Sequence, residues 1–213
     1  MKLLYMNPNS TEAMTRSVVE VARAAAPGVE VIGWTNADGP PAIQGAADGD
    51  AAVPGLLAML PRAAQEGVDA IVIACFDDTG LGALRAAAHC PVLGIGQAAY
   101  LMAGLLGARF SVVTTLAVSV PVIEGNIARL GAQGCVRVRP SGIPVLEVDE
   151  GREETRADLA RQIRAAAEED AVPVVVLGCA GMAALRADLA ARSGITLVDG
   201  VAASARLAWA AAG

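Results

Sequence analysis

Histidine is almost absent from this chain: His89 is the only one among 213 residues. The four cysteines, at 75, 90, 135 and 179, form no C-x-x-C pair. A zinc site would have to gather ligands from unrelated elements, so no metal is expected, and in a reducing compartment no disulfide either. Aromatic residues make up only 3% of the chain against 54% hydrophobic residues overall, so the core must be built from Ala, Val, Leu and Ile. A basic surface is lacking as well. The formal net charge of −6 argues against nucleic acid as a partner. No apolar stretch reaches the roughly 18 uninterrupted residues of a membrane helix. The run Leu3-Leu4-Tyr5-Met6, cut off by Asn7-Pro8-Asn9, is too short for a signal-peptide core. These absences leave a cytoplasmic protein with a small-molecule partner and no membrane association as the expectation.

What is present is alternation. Apolar runs predict strands at 2–6, 29–35, 68–75, 91–96, 109–114, 136–140, 173–178 and 195–198. Between them, helical patterns are predicted over about 11–26, 51–66, 80–88, 97–107, 118–131, 152–169, 182–192 and 201–212, with residues 36–49 as a Gly/Pro/Ala-rich loop. Ser10 or Thr11 is placed to cap the first helix. The charged segment 152–169, where Arg152, Arg156, Arg161 and Arg164 alternate with acids, reads as a solvated helix. Strands alternating with helices imply an α/β fold with parallel sheets.

The two halves also resemble each other. Gly82-Ala83-Leu84-Arg85 matches Ala183-Ala184-Leu185-Arg186, and Pro91–Gly96 matches Ile195–Gly200. Cys75 then falls opposite Cys179, 104 residues later. An internal duplication predicts two pseudo-symmetric lobes, each a parallel sheet flanked by helices, with a cleft between them. Lobe 1 is expected to hold 1–97 plus about 200–213, lobe 2 to hold 98–199, and the boundary to lie near 97–108.

Cys75 and Cys179 each end a buried strand that feeds a small-residue turn and a helix, a location that delivers a side chain to the ligand crevice of a parallel sheet. A nearby helix N-terminus is expected to lower a thiol's pKa. Two thiols on opposite walls of one cleft suit a reversible racemisation: a thiolate takes a proton from one face of a carbon and a thiol returns one to the other. The resulting enolate oxygen needs preorganised donors. Backbone N–H groups of Phe76, Asp77, Ala180 and Gly181 are candidates, together with Asn9 and Ser10 after the first strand and Thr114 and Thr115 at the matching point of the second lobe. Each has a plainer reading. Asn9 serves a turn, Thr114 and Thr115 serve a strand, and Asp77 and Asp78 cap the helix near residue 80. Cys90 and Cys135 have no repeat partner and read as inert, and His89 reads as a surface or capping residue. Periodicity alone also allows a two-lobed binding module without turnover.

With these motifs assembled, the whole chain resembles the Asp/Glu/hydantoin racemase superfamily, in its hydantoin racemase branch, which includes allantoin racemases. The resemblance is carried by residues 7–11 (NPNST), 41–45 (PAIQG), 73–81 (IACFDDTGL), 109–115 (RFSVVTT), 177–182 (LGCAGM) and 198–201 (VDGV). It implies racemisation without a cofactor, with Cys75 and Cys179 as the catalytic pair, the site between two lobes, and homo-oligomers. It further implies a 5-monosubstituted hydantoin or allantoin as substrate, with Asn9, Phe76, Thr114 and Ala180 lining the ring pocket and Ile43 bordering the substituent. The alternatives within the superfamily are amino-acid racemisation of the Asp/Glu type, decarboxylation of an arylmalonate and isomerisation of maleate. The chain departs from the branch's usual pattern at Gln44, where Glu is usual, at Asp77-Asp78-Thr79-Gly80, where Gly-Asp-Pro-Gly is usual, and at Ala180, where Gly is usual.

Overall fold

The computed structural model describes residues 1–107 and 109–212; the expected boundary at 97–108 and the end of lobe 1 at 213 reach residues outside that range. The elements run β1 (Lys2–Asn7), α1 (Glu12–Ala25), β2 (Glu30–Thr35), α2 (Ala46–Gln65), β3 (Ala70–Ile73), α3 (Leu81–Ala87), β4 (Val92–Gly94), α4 (Ile95–Leu105) and β5 (Phe110–Thr114). They continue with α5 (Val120–Leu130), β6 (Cys135–Pro140), α6 (Val145–Glu150), α7 (Glu153–Glu169), β7 (Val174–Gly178), α8 (Arg186–Ser193), β8 (Thr196–Asp199) and α9 (Gly200–Ala212). The strands form two four-stranded parallel sheets of the same order, β2-β1-β3-β4 and β6-β5-β7-β8. This is the two-lobed α/β fold the repeat predicts.

The central strands β1, β3, β5 and β7 are buried almost throughout, as continuous apolar runs covered by helices on both faces must be. The edge strand β6, by contrast, leaves Val136 and Arg137 exposed. One core cluster runs through both lobes, joining Leu3, Tyr5 and Val72 to Val112, Val176 and Val201. Helices α4 and α9 pack on each other in its middle. Tyr5 Oη donates to Val201 O at 3.1 Å and shares a 2.8 Å hydrogen bond with Ser204 Oγ, so α9 is tied to β1.

The repeat register differs by one residue from the sequence pairing after the cysteines. Ile71 pairs with Val92 and Val175 with Leu197, so Val92 corresponds to Leu197, not to Thr196. Strand β8 has one residue more than β4 before its helix begins. Three local expectations are also corrected. Helix α2 starts at Ala46, inside the predicted loop, because the Asp48 carboxylate accepts the Gln44 N–H at 2.9 Å and holds the first turn. Helix α6, six residues between Pro144 and Gly151 (φ 57), was not predicted. Thr11 does occupy the N-cap of α1, but its hydroxyl donates to Pro41 O at 2.7 Å and does not cap the helix.

Candidate active site

The turn after β3 and the turn after β7 contribute to one cavity of about 30 Å³. Its walls include both Cys75 and Cys179, and of the other expected positions Asn9, Ile43, Phe76, Asp77, Thr114, Thr115 and Ala180. Ser10 and Gly181 do not line it. Ser10 donates its N–H to Pro40 O, and a Cβ at Gly181 would meet the Asp149 backbone. Met14, Ala74, Ser119, Val145 and Gly178 also line the cavity and were not foreseen. Met14 on α1 is indistinguishable in sequence from a core residue, and Val145 belongs to the unforeseen α6. Ser119 had a signal: it follows β5 in the loop equivalent to residues 8–11 of lobe 1.

The turn carrying Cys75 is built by Asp78. That residue adopts φ 49, and its carboxylate accepts Gly96 N–H at 2.9 Å and Gln97 N–H at 2.8 Å. It thus caps α4, not the helix near residue 80; α3 is entered instead through Gly80 at φ 70. A Cβ on Gly94 would overlap the Asp78 carboxylate, and one on Gly96 would overlap Phe76 O. The glycines of β4 and α4 therefore let this turn lie flat on the sheet edge. Asp77 takes the other direction, toward the cavity, and caps nothing. Its main-chain carbonyl is held by Asn126 Nδ2 at 2.8 Å.

In lobe 1, Asn7 Nδ2 donates to Asn9 Oδ1 at 2.9 Å, and the Thr11 N–H donates to the same oxygen at 2.9 Å. The Asn9 amide nitrogen has only the Met14 sulfur at 3.5 Å. In lobe 2, Thr114 Oγ1 donates to Gly178 O at 2.8 Å, which fixes its proton in the sheet and leaves lone pairs for a ligand. Asn9 and Thr114 thus each fill both their structural role and a place in the cavity wall.

Burial decides the electrostatics. It pushes the Cys179 thiol up to about 12, opposed by the N–H groups of Gly181 and Met182 and reinforced by the charge of Asp77. Cys75 is raised well above its ordinary value by burial first and by Asp77 next; the Asp77 N–H opposes the rise, and Cys179 adds to it. The expected lowering by helix termini is not observed. Helices α3 and α8 begin six and seven residues after their cysteines, beyond the single turn over which the dipole acts. Burial also pushes Asp77 up to about 7, against the Ser119 hydroxyl. Cys90 and Cys135 lie outside this cavity.

The family model described as Asp/Glu/Hydantoin racemase matches residues 3–208. A hydantoin racemase of Rhizobium meliloti is 41% identical over 215 residues, covering 100% of this chain and 89% of that protein. The structure of an allantoin racemase from Klebsiella pneumoniae superposes with a TM-score of 0.93 at 34% identity, covering 99% of this chain and 86% of that one. An allantoin racemase structure from Pseudomonas fluorescens gives 0.93 at 35% identity, covering 99% and 90%.

Proposed function

This chain belongs to the Asp/Glu/hydantoin racemase family, and we propose that it racemises a 5-monosubstituted hydantoin or allantoin by two-base proton transfer between Cys75 and Cys179, with no cofactor. The observation that carries this reading is that two thiols from equivalent strand ends of the two lobes line one small cavity. The thiolate of one cysteine removes the C5 proton, and the electron pair passes into the adjacent ring carbonyl as an enolate. The thiol of the other cysteine then gives its proton to the opposite face of C5 and becomes the thiolate. The reverse reaction exchanges the roles. A buried thiolate is scarce at neutral pH but strongly basic, which suits a weakly acidic C–H.

For the enolate oxygen, the proposed donors are the peptide N–H groups at Phe76 and Ala180, each following a cysteine on the cavity wall, and the Asn9 amide. Thr114 and Thr115 offer oxygen acceptors to ring N–H groups. None of the lining residues is Lys, Arg or His among the described residues. An α-carboxylate or a dicarboxylate would therefore lack a counter-charge, whereas a neutral ring of alternating C=O and N–H groups is matched. Assembly as a homo-oligomer is part of the same reading, and Leu101, Leu105 and Trp209 on α4 and α9 are exposed apolar residues it would use.

The test is loss of optical rotation by an enantiopure 5-substituted hydantoin, run in D₂O. Racemisation with deuterium entering C5, slowed about 10²-fold or more in both Cys75→Ser and Cys179→Ser, is the expected result. Full activity in either variant, or inversion without exchange, would overturn it.

A further inference from the structure

Among the described residues, Asp77 is the one titratable side chain on the cavity wall for which proton transfer between the thiols provides no task. It is buried at 9% exposure, and its Oδ2 has no hydrogen-bond partner among the described residues. Leaving a buried carboxyl oxygen unpaired is costly unless a ligand or water supplies a donor. The residue's main-chain carbonyl is held by Asn126, itself held by Arg129 Nη2 at 2.6 Å, and Ser119 lies on the same cavity wall. Asp77 also lines a second cavity, of about 420 Å³. Asp50, Thr79, Asn126 and Arg129 contribute polar groups to that outer space. Asp77 thus lines both the thiol-lined pocket and a larger neighbouring chamber.

A ring seated between the thiols has a substituent on the same carbon that exchanges its proton, and that substituent has to leave the inner pocket. From this geometry we infer that the unpaired Asp77 oxygen accepts an N–H from the exocyclic substituent of the substrate as it passes toward the outer cavity. The inference rests on the racemase reading and narrows its substrate class. The preferred hydantoins carry a ureido, amide or ammonium donor on the side chain, and a hydrocarbon side chain of equal length is disfavoured because it leaves the oxygen unpaired.

The experiment compares kcat/KM by polarimetry for allantoin, whose substituent is a ureido group, and for 5-butylhydantoin, which has no side-chain N–H. Wild type, Asp77→Ala and Asp77→Leu are assayed, with circular dichroism to establish folding. Wild type is expected to favour allantoin by about tenfold or more. The ratio should fall toward one in both variants. A wild-type ratio near one overturns the inference, as does a ratio that survives both substitutions or an equal loss on both substrates, which would mean that Asp77 meets the ring itself. Should the variants not fold, the wild-type ratio decides alone. If wild type racemises neither hydantoin, the racemase reading fails first and takes this inference with it.

Discussion

Gly94 and Asp78 compete for one volume: the Asp78 carboxylate lies where any side chain at Gly94 would have to be. Because that carboxylate caps α4 and belongs to the turn that presents Cys75 and Asp77, the absent side chain on one strand sets the position of a thiol on the next.

Gly94→Ala is therefore expected to cost about 1–3 kcal/mol of stability, the usual penalty for overpacking, and to displace the 75–80 turn. A thermal melt and a polarimetric assay check it together. Loss of racemisation while the protein remains folded at the assay temperature is the expected outcome.

Replacing one cysteine should split the reaction into halves. Cys75→Ala leaves Cys179 able to take a proton from one enantiomer only, and Cys179→Ala leaves the reverse case. Each variant should racemise about 10²–10⁴-fold more slowly, yet still exchange the C5 proton of one enantiomer with solvent. NMR in D₂O on each enantiomer separately reads this out; exchange of both enantiomers by one variant would contradict the assignment of faces.

Burial, not a helix terminus, governs the thiols, so the thiolate is the minority form at neutral pH. Between pH 7 and 9, kcat/KM should rise with pH toward a tenfold increase per unit. A flat profile in that interval would mean that the working base ionises well below the range burial imposes on Cys75 and Cys179.

The Asp77 carboxyl is pushed up by burial to about 7 from an ordinary value of 3.8. Between those two values the folded state keeps a proton that the unfolded chain releases. The contribution of Asp77 to stability is therefore full below about pH 4 and is lost as pH rises through about 7. Asp77→Asn, neutral throughout, should gain stability relative to wild type at pH 8 compared with pH 4.5, by an amount on the order of 2 kcal/mol. Denaturant titrations at the two pH values measure it, and an equal effect at both would show that Asp77 is not buried as a charge.

The alternation of apolar runs with helical patterns gave the two sheets because a parallel sheet covered on both faces has to be written as continuous hydrocarbon, as in residues 174–177 (VVVL). The cysteine pair was legible for a related reason: a repeated strand–turn–helix unit puts the same position at the same sheet edge twice. What escaped the sequence was set by contacts between distant segments. Asp78 looks like a local helix cap, and only the neighbouring strand shows that it caps α4. Val145 entered the cavity through a six-residue helix too short to carry a periodic signal. The thiols' environment misled in the same way, since sequence shows that a helix follows but not that five or six residues intervene before α3 and α8 begin.

The hydrophobic cluster that passes uninterrupted from Tyr5 through α4 and α9 to Val112 and Val176 has a mechanical meaning. Prying the halves apart would expose the hydrocarbon that stabilises both. The strands β3 and β7, whose ends carry Cys75 and Cys179, are thereby tied into one continuous core.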